Sequence, residues 1–225
     1  LAGRTTSACG LGILRDPLLG DDLLDDLFVC EPVANAVRRL DLTRDGHDYC
    51  GARAPEEESR EFLASTDPWF RPVQALTGPD GALWVVDMAR FLIEHPRWVP
   101  QDRLDAIDAR AGDRLGRIWR VVPHDRATRP VSDLTPLDTR ALAEQIKSPN
   151  GTVRDLAHEL LRHRPGDEVM KALRSLDLKG TSSHTLAPLL ALFESTGRIE
   201  MRDVIAAMVQ DDPRVRRYGL RLARR

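Results

Sequence analysis

The stretch FRPVQALTGPDGALWVVDMAR, residues 70–90, decides how the first half of this chain is interpreted. Two apolar runs flank a Gly-Pro-Asp-Gly corner at residues 78–81. Pro79 fixes φ at the second position of a turn, and Gly81 tolerates a φ that other residues avoid. The stretch therefore predicts a tight β-hairpin with one strand on each side of the corner.

Similar short apolar runs occur throughout residues 1–123, separated by Pro-containing and Asp-Gly corners. Such spacing is typical of short antiparallel strands, and it favours a sandwich or the blades of a propeller. The Asp45-Gly46 corner predicts a second hairpin. The runs are SACGLGIL (7–14), DLFVCEP (26–32), NAVRRLDL (35–42) and GRIWRVVP (116–123). Between strands, residues 88–112 are too polar for a hairpin loop, and they predict a helical turn ending at Pro96 and a short helix at 101–109.

From about residue 134 the apolar residues recur at helical spacing. The segments around Val153 and Val215 resemble each other and lie 62 positions apart, which is two units of about 31 residues. Helix pairs that repeat near this length are typical of an α-solenoid. Thr135, which precedes Pro136, is the expected N-cap of the first helix. Residues 124–133 are polar and predict a linker between the two halves.

Composition excludes several classes of protein. The 225 residues are 30% charged with a net charge of −2, so no overall charge points to a nucleic-acid partner. No apolar run reaches the twenty or so residues of a membrane-spanning helix. The cysteines and histidines show no metal-ligand spacing, so no metal site is expected. The chain starts at Leu1 with neither an initiator Met nor a signal peptide, and we expect it to be an internal fragment.

Three cysteines, Cys9, Cys30 and Cys50, do not form a disulfide framework. Cys9 and Cys30 lie on runs that could be neighbouring strands. They could therefore form a single bridge, or they could be buried free thiols, which are common in protein cores.

Three segments resemble a large family of bacterial proteins, abundant in Planctomycetes, that are described as membrane-bound dehydrogenases. These segments are FVCEPVANAVRRL (28–40), EFLASTDPWFRPVQALTGPDGALWVVDMARFLIEHP (61–96) and GDRLGRIWRV (112–121). In that family a six-bladed β-propeller, similar to soluble quinoprotein glucose and sorbosone dehydrogenases, precedes HEAT-type helical repeats. A cytochrome c domain with a haem site often follows the repeats.

The resemblance implies a multidomain protein in which a β domain is followed by an α-helical domain. Residues 1–123 would be the C-terminal blade or blades of a propeller, residues 124–133 a linker, and residues 134–225 an α-solenoid of HEAT-like helix pairs. The remaining blades and the cytochrome would be partners outside this chain. The intact protein would be periplasmic or exported.

The resemblance also implies a cofactor contact. Arg71 stands where the wider family places an arginine that holds a carboxylate of pyrroloquinoline quinone, and arginine suits this because its planar fork binds carboxylate bidentately. Trp69 and Val33 stand where that family has a second arginine and a lysine. The alternative is that Arg71 bonds neighbouring carbonyls or a carboxylate inside the blade.

Asp87, Arg90, Glu94 and His95 form the densest cluster of chemically active side chains. On a helical turn Arg90 and Glu94 could pair. Histidine is a common general base, so His95 and Asp87 are the catalytic candidates, but His95 could instead be a capping or packing residue. Glu31 and Asn35, in CEPVAN (30–35), could face the propeller channel.

Two hypotheses for function follow. The first is an exported quinoprotein-like dehydrogenase that oxidises a sugar or alcohol and passes electrons to an attached cytochrome, with haem c outside this chain. The second is a non-catalytic propeller–HEAT scaffold that binds a glycan or a protein. On either hypothesis, we expect this chain alone to be inactive.

Overall fold

A computed structural model of the chain describes residues 6–45, 48–177 and 182–224. Two compact units are present, Leu1–Arg129 and Pro130–Arg225. The first contains antiparallel sheets and is called the β unit, and the second contains helices and is called the helical unit. The predicted order, β structure followed by helices, is confirmed. None of the helices in the described ranges is long and apolar enough to cross a membrane.

The first sheet of the β unit is an antiparallel meander. Its strands lie in the order β1-β2-β3-β4, and the two-residue strand β5 pairs with β3. Asp45 at the end of β3 pairs with Asp48 at the start of β4, while Gly46 of the predicted corner lies outside the described residues. The strands are β1 (Cys9–Ile13), β2 (Leu27–Glu31), β3 (Ala36–Asp45), β4 (Asp48–Ala52) and β5 (Leu63–Ala64).

The second sheet contains the hairpin predicted from residues 70–90. Strands β6 (Pro72–Thr77) and β7 (Leu83–Asp87) pair antiparallel, and β8 (Arg117–Val121) pairs with β7. At the corner, the N–H of Gly81 donates to the carbonyl of Gly78 at 3.1 Å, and Gly81 has a φ of +89°. The hairpin prediction is therefore confirmed together with its turn.

β1 of the first sheet lies directly against β6 of the second. A Cβ on Gly10 would lie 2.0 Å from the carbonyl oxygen of Val73, and a Cβ on Gly12 would lie 2.0 Å from that of Ala75. Gly10 also has a φ of +57°, at an irregularity in the pairing of β1 with β2. Only glycine allows two backbones to approach this closely, so these residues fix the spacing of the sheets.

The segment between β7 and β8, residues 88–116, is called the crossing segment. It contains a 3₁₀ turn at Pro96–Trp98 and a short helix, α1 (Gln101–Asp105). The expected helical turn ending at Pro96 is wrong, because the turn begins there. A residue before proline is disfavoured in the helical region, whereas proline itself suits the first position of a helix.

Buried carboxylates tie the end of the β unit to its sheets. Asp16, Asp80 and Asp87 are almost fully buried, and they form ion pairs with Arg129, Arg120 and Arg117 respectively. The N–H of Arg129 also donates to the carbonyl of Asp80 at 2.9 Å. Within the expected linker at 124–133, the part up to Arg129 therefore bonds to the β unit. The apolar core of this unit includes Leu14, Phe28, Cys30, Val37, Phe70, Ala75, Leu83 and Val85.

The described part of the helical unit contains six α-helices. They are α2 (Thr139–Gln145), α3 (Gly151–Arg162), α4 (Gly166–Arg174), α5 (Ser183–Ser195), α6 (Met201–Met208) and α7 (Pro213–Leu222). The cap expected at Thr135 is wrong. Asp138 caps α2 by accepting the N–H of Ala141 at 2.7 Å, and Thr135 bonds Asp133 instead.

The similarity that the sequence shows between α3 and α7 extends to their caps. Asn150 caps α3, and four residues later Arg154 donates from Nη1 to the carbonyls of Ser148 and Pro149 at 2.7 and 3.0 Å. Asp212 caps α7, and Arg216 makes the same two bonds to residues 210 and 211 at 2.7 and 2.8 Å. The same arrangement thus recurs 62 positions apart. Helices α3 and α7 therefore begin with the same capping arrangement.

Candidate functional site

Arg71 lies just before β6, at the point where the two sheets and the crossing segment meet. Its side chain is buried, and its guanidinium donates to three backbone carbonyls. Nη1 donates to Pro32 at 2.7 Å, Nε to Arg90 at 3.0 Å and Nη2 to Phe91 at 2.8 Å. Arg71 therefore connects the turn after β2 with the start of the crossing segment.

Asp87 ends β7, and its carboxylate is completely engaged. Oδ1 accepts the backbone N–H groups of Arg71 and Ala89, each at 2.8 Å. Oδ2 accepts from Nε of Arg117 at 2.8 Å and from the indole of Trp119 at 2.9 Å. Burial alone would raise the pKa of Asp87, but these four hydrogen bonds outweigh it and lower the pKa. A carboxylate held in this way is ionised at neutral pH and has no free lone pair towards a substrate.

Arg117 extends this network to a second carboxylate. Its Nη1 donates to Asp67 at 2.9 Å, and Asp67 also accepts the N–H of Trp69 at 2.9 Å. The bond from the Trp69 N–H, followed by that from Arg117, lowers the pKa of Asp67. Arg71, Asp87, Arg117, Trp119 and Asp67 are together called the anchor cluster, because they hold both ends of the crossing segment.

Glu31 and Asn35, the residues expected near a channel, lie at the turn between β2 and β3. The side chain of Glu31 is buried, and its Oε2 accepts the N–H and hydroxyl of Ser7 at 3.2 and 3.1 Å. Asn35 has a φ of +54°, and its amide donates to the carbonyl of Phe70 at 2.5 Å. Both side chains hold neighbouring loops together in the described structure.

Arg90, Glu94 and His95 lie on irregular backbone rather than on a helical turn. Arg90 donates to the carbonyl of Asp113 in a long bond of 3.4 Å. His95 is exposed, and its Nδ1 accepts the N–H of Arg97 at 3.1 Å, so it caps the 3₁₀ turn. This contact fits the capping alternative. The catalytic roles of His95 and Asp87 stay predictions.

Cys9 and Cys30 face each other across β1 and β2, as expected for neighbouring strands. Both are free thiols here, and burial raises the pKa of Cys30 to about 12. A thiol with so high a pKa is protonated and unreactive at neutral pH. A bridge between the two cysteines stays a prediction.

The outer side of the crossing segment presents large side chains to solvent. Trp98 is 76% exposed, and the guanidinium of Arg97 lies 5.3 Å from its ring centroid. Phe91 and Leu115 are also exposed. On the inner side, a Cβ on Gly112 would lie 2.5 Å from the carbonyl oxygen of Ala89, so the segment is packed tightly there. The crossing segment therefore packs tightly against the β unit on one side and exposes large side chains to solvent on the other.

The sequence singled out Arg71 and Asp87, and the structure brings them together in the anchor cluster. It does not bring His95 or Glu94 into that cluster. Reasoning from sequence missed Arg117, Trp119 and Asp67. The signal that could have found them is the Arg-x-Trp pattern on the closing strand, which places two donors on one face of a strand beside the end of β7.

Within the described residues, no group of three or more His, Cys, Asp or Glu side chains could hold a metal ion. Residues 1–125 match the family model DUF7133, described as a domain of unknown function. No curated protein and no solved structure matches the chain.

Proposed function

Since the chain belongs to the DUF7133 family, whose function is unknown, we propose from its geometry that it is part of a non-catalytic binding scaffold. The observation that carries this proposal is that buried and exposed side chains of the β unit have different roles. The polar atoms of Arg71 and Asp87 are used to anchor the crossing segment, while Trp98 and its charged neighbours are exposed. Binding residues commonly lie on loops that a rigid scaffold positions. The ligand we propose is a glycan or a protein.

We infer that Arg71 does not hold pyrroloquinoline quinone. To bind a cofactor carboxylate bidentately, the guanidinium must present two N–H groups along one edge. Three of the five N–H groups of Arg71 already donate to carbonyls, and only 9% of the residue is exposed, so little of the guanidinium is accessible to a ligand. A quinone in the intact protein would therefore need basic residues other than Arg71. Dehydrogenase activity of the intact protein stays a prediction based on the family resemblance.

The larger architecture is proposed on the same resemblance. The four-stranded meander β1–β4 and the three-stranded sheet β6–β8 have the up-and-down order of propeller blades. The recurring caps at Asn150 and Asp212 support HEAT-like helix pairs. We propose that the remaining blades and a cytochrome c domain belong to the same protein, and that the intact protein is periplasmic or exported.

Titration of the chain with a panel of neutral and acidic oligosaccharides tests the binding proposal, with tryptophan fluorescence as the signal. Trp98 is the most exposed indole, so binding at the crossing segment should change the fluorescence. We expect Trp98→Ala to weaken binding at least tenfold, measured by titration calorimetry because this variant lacks the reporting indole. Leu11→Ala is the control, because Leu11 is also a large exposed apolar residue of the β unit but lies on β1, outside the crossing segment, and it should leave binding unchanged. A fluorescence change that Trp98→Ala leaves intact would place the ligand elsewhere.

A second measurement tests the absence of catalysis. Because this chain alone is expected to be inactive on either hypothesis, the full-length protein is mixed with pyrroloquinoline quinone, a sugar panel and a redox dye, and the absorbance of quinone and dye is followed. We expect neither a shift of the quinone spectrum nor reduction of the dye. Sugar-dependent dye reduction would refute the non-catalytic proposal and support the dehydrogenase hypothesis.

A further inference from the structure

The outer side of α6 carries a continuous apolar stripe. Met201, Ile205 and Val209 recur every four positions and are 66%, 54% and 73% exposed, and Met208 beside them is 36% exposed. Side chains at this spacing share one face of a helix. Scattered exposed apolar residues are ordinary, but a contiguous patch of this kind marks an interaction site.

The equivalent positions on helix α4 indicate the role of this stripe. The sequences of α4 and α6 align at an offset of 35, so that Val169 matches Val204 and Ala172 matches Ala207. All four of these residues are buried. At the same offset, the buried Met170 and Leu173 of α4 correspond to the exposed Ile205 and Met208 of α6.

On α4 this face points towards the next helix pair. Leu173 and Arg174 line a cavity together with Asp203, Ala206 and Ala207 of α6, and Arg174 forms an ion pair with Asp203 at 3.4 Å. At the same offset, Leu173 and Arg174 correspond to Met208, the last residue of α6, and to Val209, which directly follows that helix. The α6 stripe therefore occupies the positions through which α4 meets its neighbour.

α7 extends the stripe into a two-helix surface. Gly219 of α7 packs on Ala207 and Met208, since a Cβ there would lie 3.0 Å from Ala207 and 3.1 Å from Met208. Leu220, which follows it, is 53% exposed and lies 62 positions after the half-buried His158 of α3. The α6 stripe and Leu220 are together called the end face.

The charge around the end face is positive. Residues 201–224 contain six arginines against three aspartates, and three of the arginines, Arg202, Arg214 and Arg221, form ion pairs with Glu200, Asp212 and Glu194. Arg217 and Arg224 are exposed; Arg217 lies one turn before Leu220 on α7, and Arg224 lies just after the end of that helix. Two copies of this surface would bring like charges together, which disfavours self-association through it. A helix with carboxylates beside its apolar stripe would complement both features.

We propose that the end face binds an amphipathic α-helix of a partner protein whose apolar stripe is flanked by acidic residues. The apolar side chains of that helix pack on Ile205, Val209 and Leu220, as one helix pair packs on the next. Its carboxylates lie near Arg217 and Arg224. This proposal is independent of the glycan or protein site on the β unit.

The test uses two fluorescein-labelled helical peptides with the same leucine stripe, one flanked by Glu and the other by Lys. Fluorescence anisotropy measures their binding to the full chain. We expect saturable binding of the Glu-flanked peptide and at least tenfold weaker binding of the Lys-flanked one. Ile205→Asp should weaken binding at least tenfold, and a double variant, Arg217→Glu with Arg224→Glu, should reverse the preference between the peptides.

Leu156→Asp is the matched control, because Leu156 is 49% exposed on α3, away from the end face. It should leave binding unchanged, and circular dichroism at 222 nm checks that every variant retains its helices. Equal binding of both peptides, or binding that Ile205→Asp does not weaken, overturns the proposal. So does self-association of the chain that Ile205→Asp abolishes in sedimentation, or preferential binding to anionic lipid vesicles.

Discussion

At the scale of single residues, the carboxylate of Asp87 receives hydrogen bonds from groups as far as 32 positions away along the chain. Sequence alone could identify Asp87 as a polar residue at the end of a strand. It could not identify the role, because the donors from Arg71, Arg117 and Trp119 meet it only after β6, β7 and β8 have paired. Arg71 is a similar case, since one of its carbonyl partners, Pro32, is 39 positions away.

Asp87→Asn tests the anchoring role. Asparagine keeps the shape of the side chain but loses the charge that faces Arg117 and one of the two acceptor oxygens. We expect the β unit to lose about 2–3 kcal/mol of its free energy of unfolding, since a buried charge pair is broken while Arg117 can still reach solvent. Urea unfolding followed by tryptophan fluorescence measures this loss. Asp113→Asn, at an exposed position, should change stability by no more than about 0.5 kcal/mol.

Acid should weaken the β unit through the same carboxylates. The pKa values of Asp87, Asp67 and Glu61 are all below their ordinary values in the folded chain. In acid the unfolded chain therefore binds more protons than the folded chain. The stabilisation that these carboxylates give is fully present above their unfolded pKa of about 4, and it is lost as the pH falls through their lower pKa values in the folded chain. Unfolding measured between about pH 6 and pH 3 should show this decline. The slope should be shallower in Asp87→Asn, and an unchanged slope would show that Asp87 is not involved.

At the scale of elements, the contact between β1 and β6 depends on glycine. Gly10→Ala would place a methyl group 2.0 Å from a backbone oxygen in addition to the strain of its positive φ. Gly197 has a similar φ of +66°, but a Cβ added there would have nothing within 4 Å, so Gly197→Ala isolates the strain alone. We expect about 1–2 kcal/mol of destabilisation for Gly197→Ala and at least about 3 kcal/mol for Gly10→Ala. Unfolding curves followed by circular dichroism compare them, and equal losses would contradict the close contact.

The elements themselves were largely predictable. The Gly-Pro-Asp-Gly corner specified the hairpin of β6 and β7, and the change of apolar spacing near residue 134 specified where helices begin. The starting residue of α2 was not predictable, because both Thr135 and Asp138 are good caps and packing selects Asp138. The crossing segment was also misjudged around Pro96. The rule that decides it is local, because proline suits the first position of a helical turn and disfavours a helical conformation in the residue before it.

At the scale of the whole molecule, each unit has an apolar cluster of its own, residues 14–85 in the β unit and residues 134–222 in the helical unit. All four tryptophans lie before residue 120, so their fluorescence reports on the β unit. Leu173→Ala, in the helical core, should destabilise the helical unit by about 2–4 kcal/mol in unfolding followed at 222 nm. It should leave the fluorescence transition in place, whereas Val85→Ala should shift that transition. A shift of both transitions by either variant would show that the units unfold together.

The anchor cluster also affects which parts of the crossing segment can vary in sequence. One carboxylate, that of Asp87, accepts from Ala89 where the crossing segment leaves the sheet and from Arg117 where it returns. With both ends secured in this way, we expect the exposed part of the segment around Trp98 to tolerate changes in length and composition while the sheets keep their register. We therefore expect that loops with other binding properties can replace this part of the crossing segment without changing the sheets of the β unit.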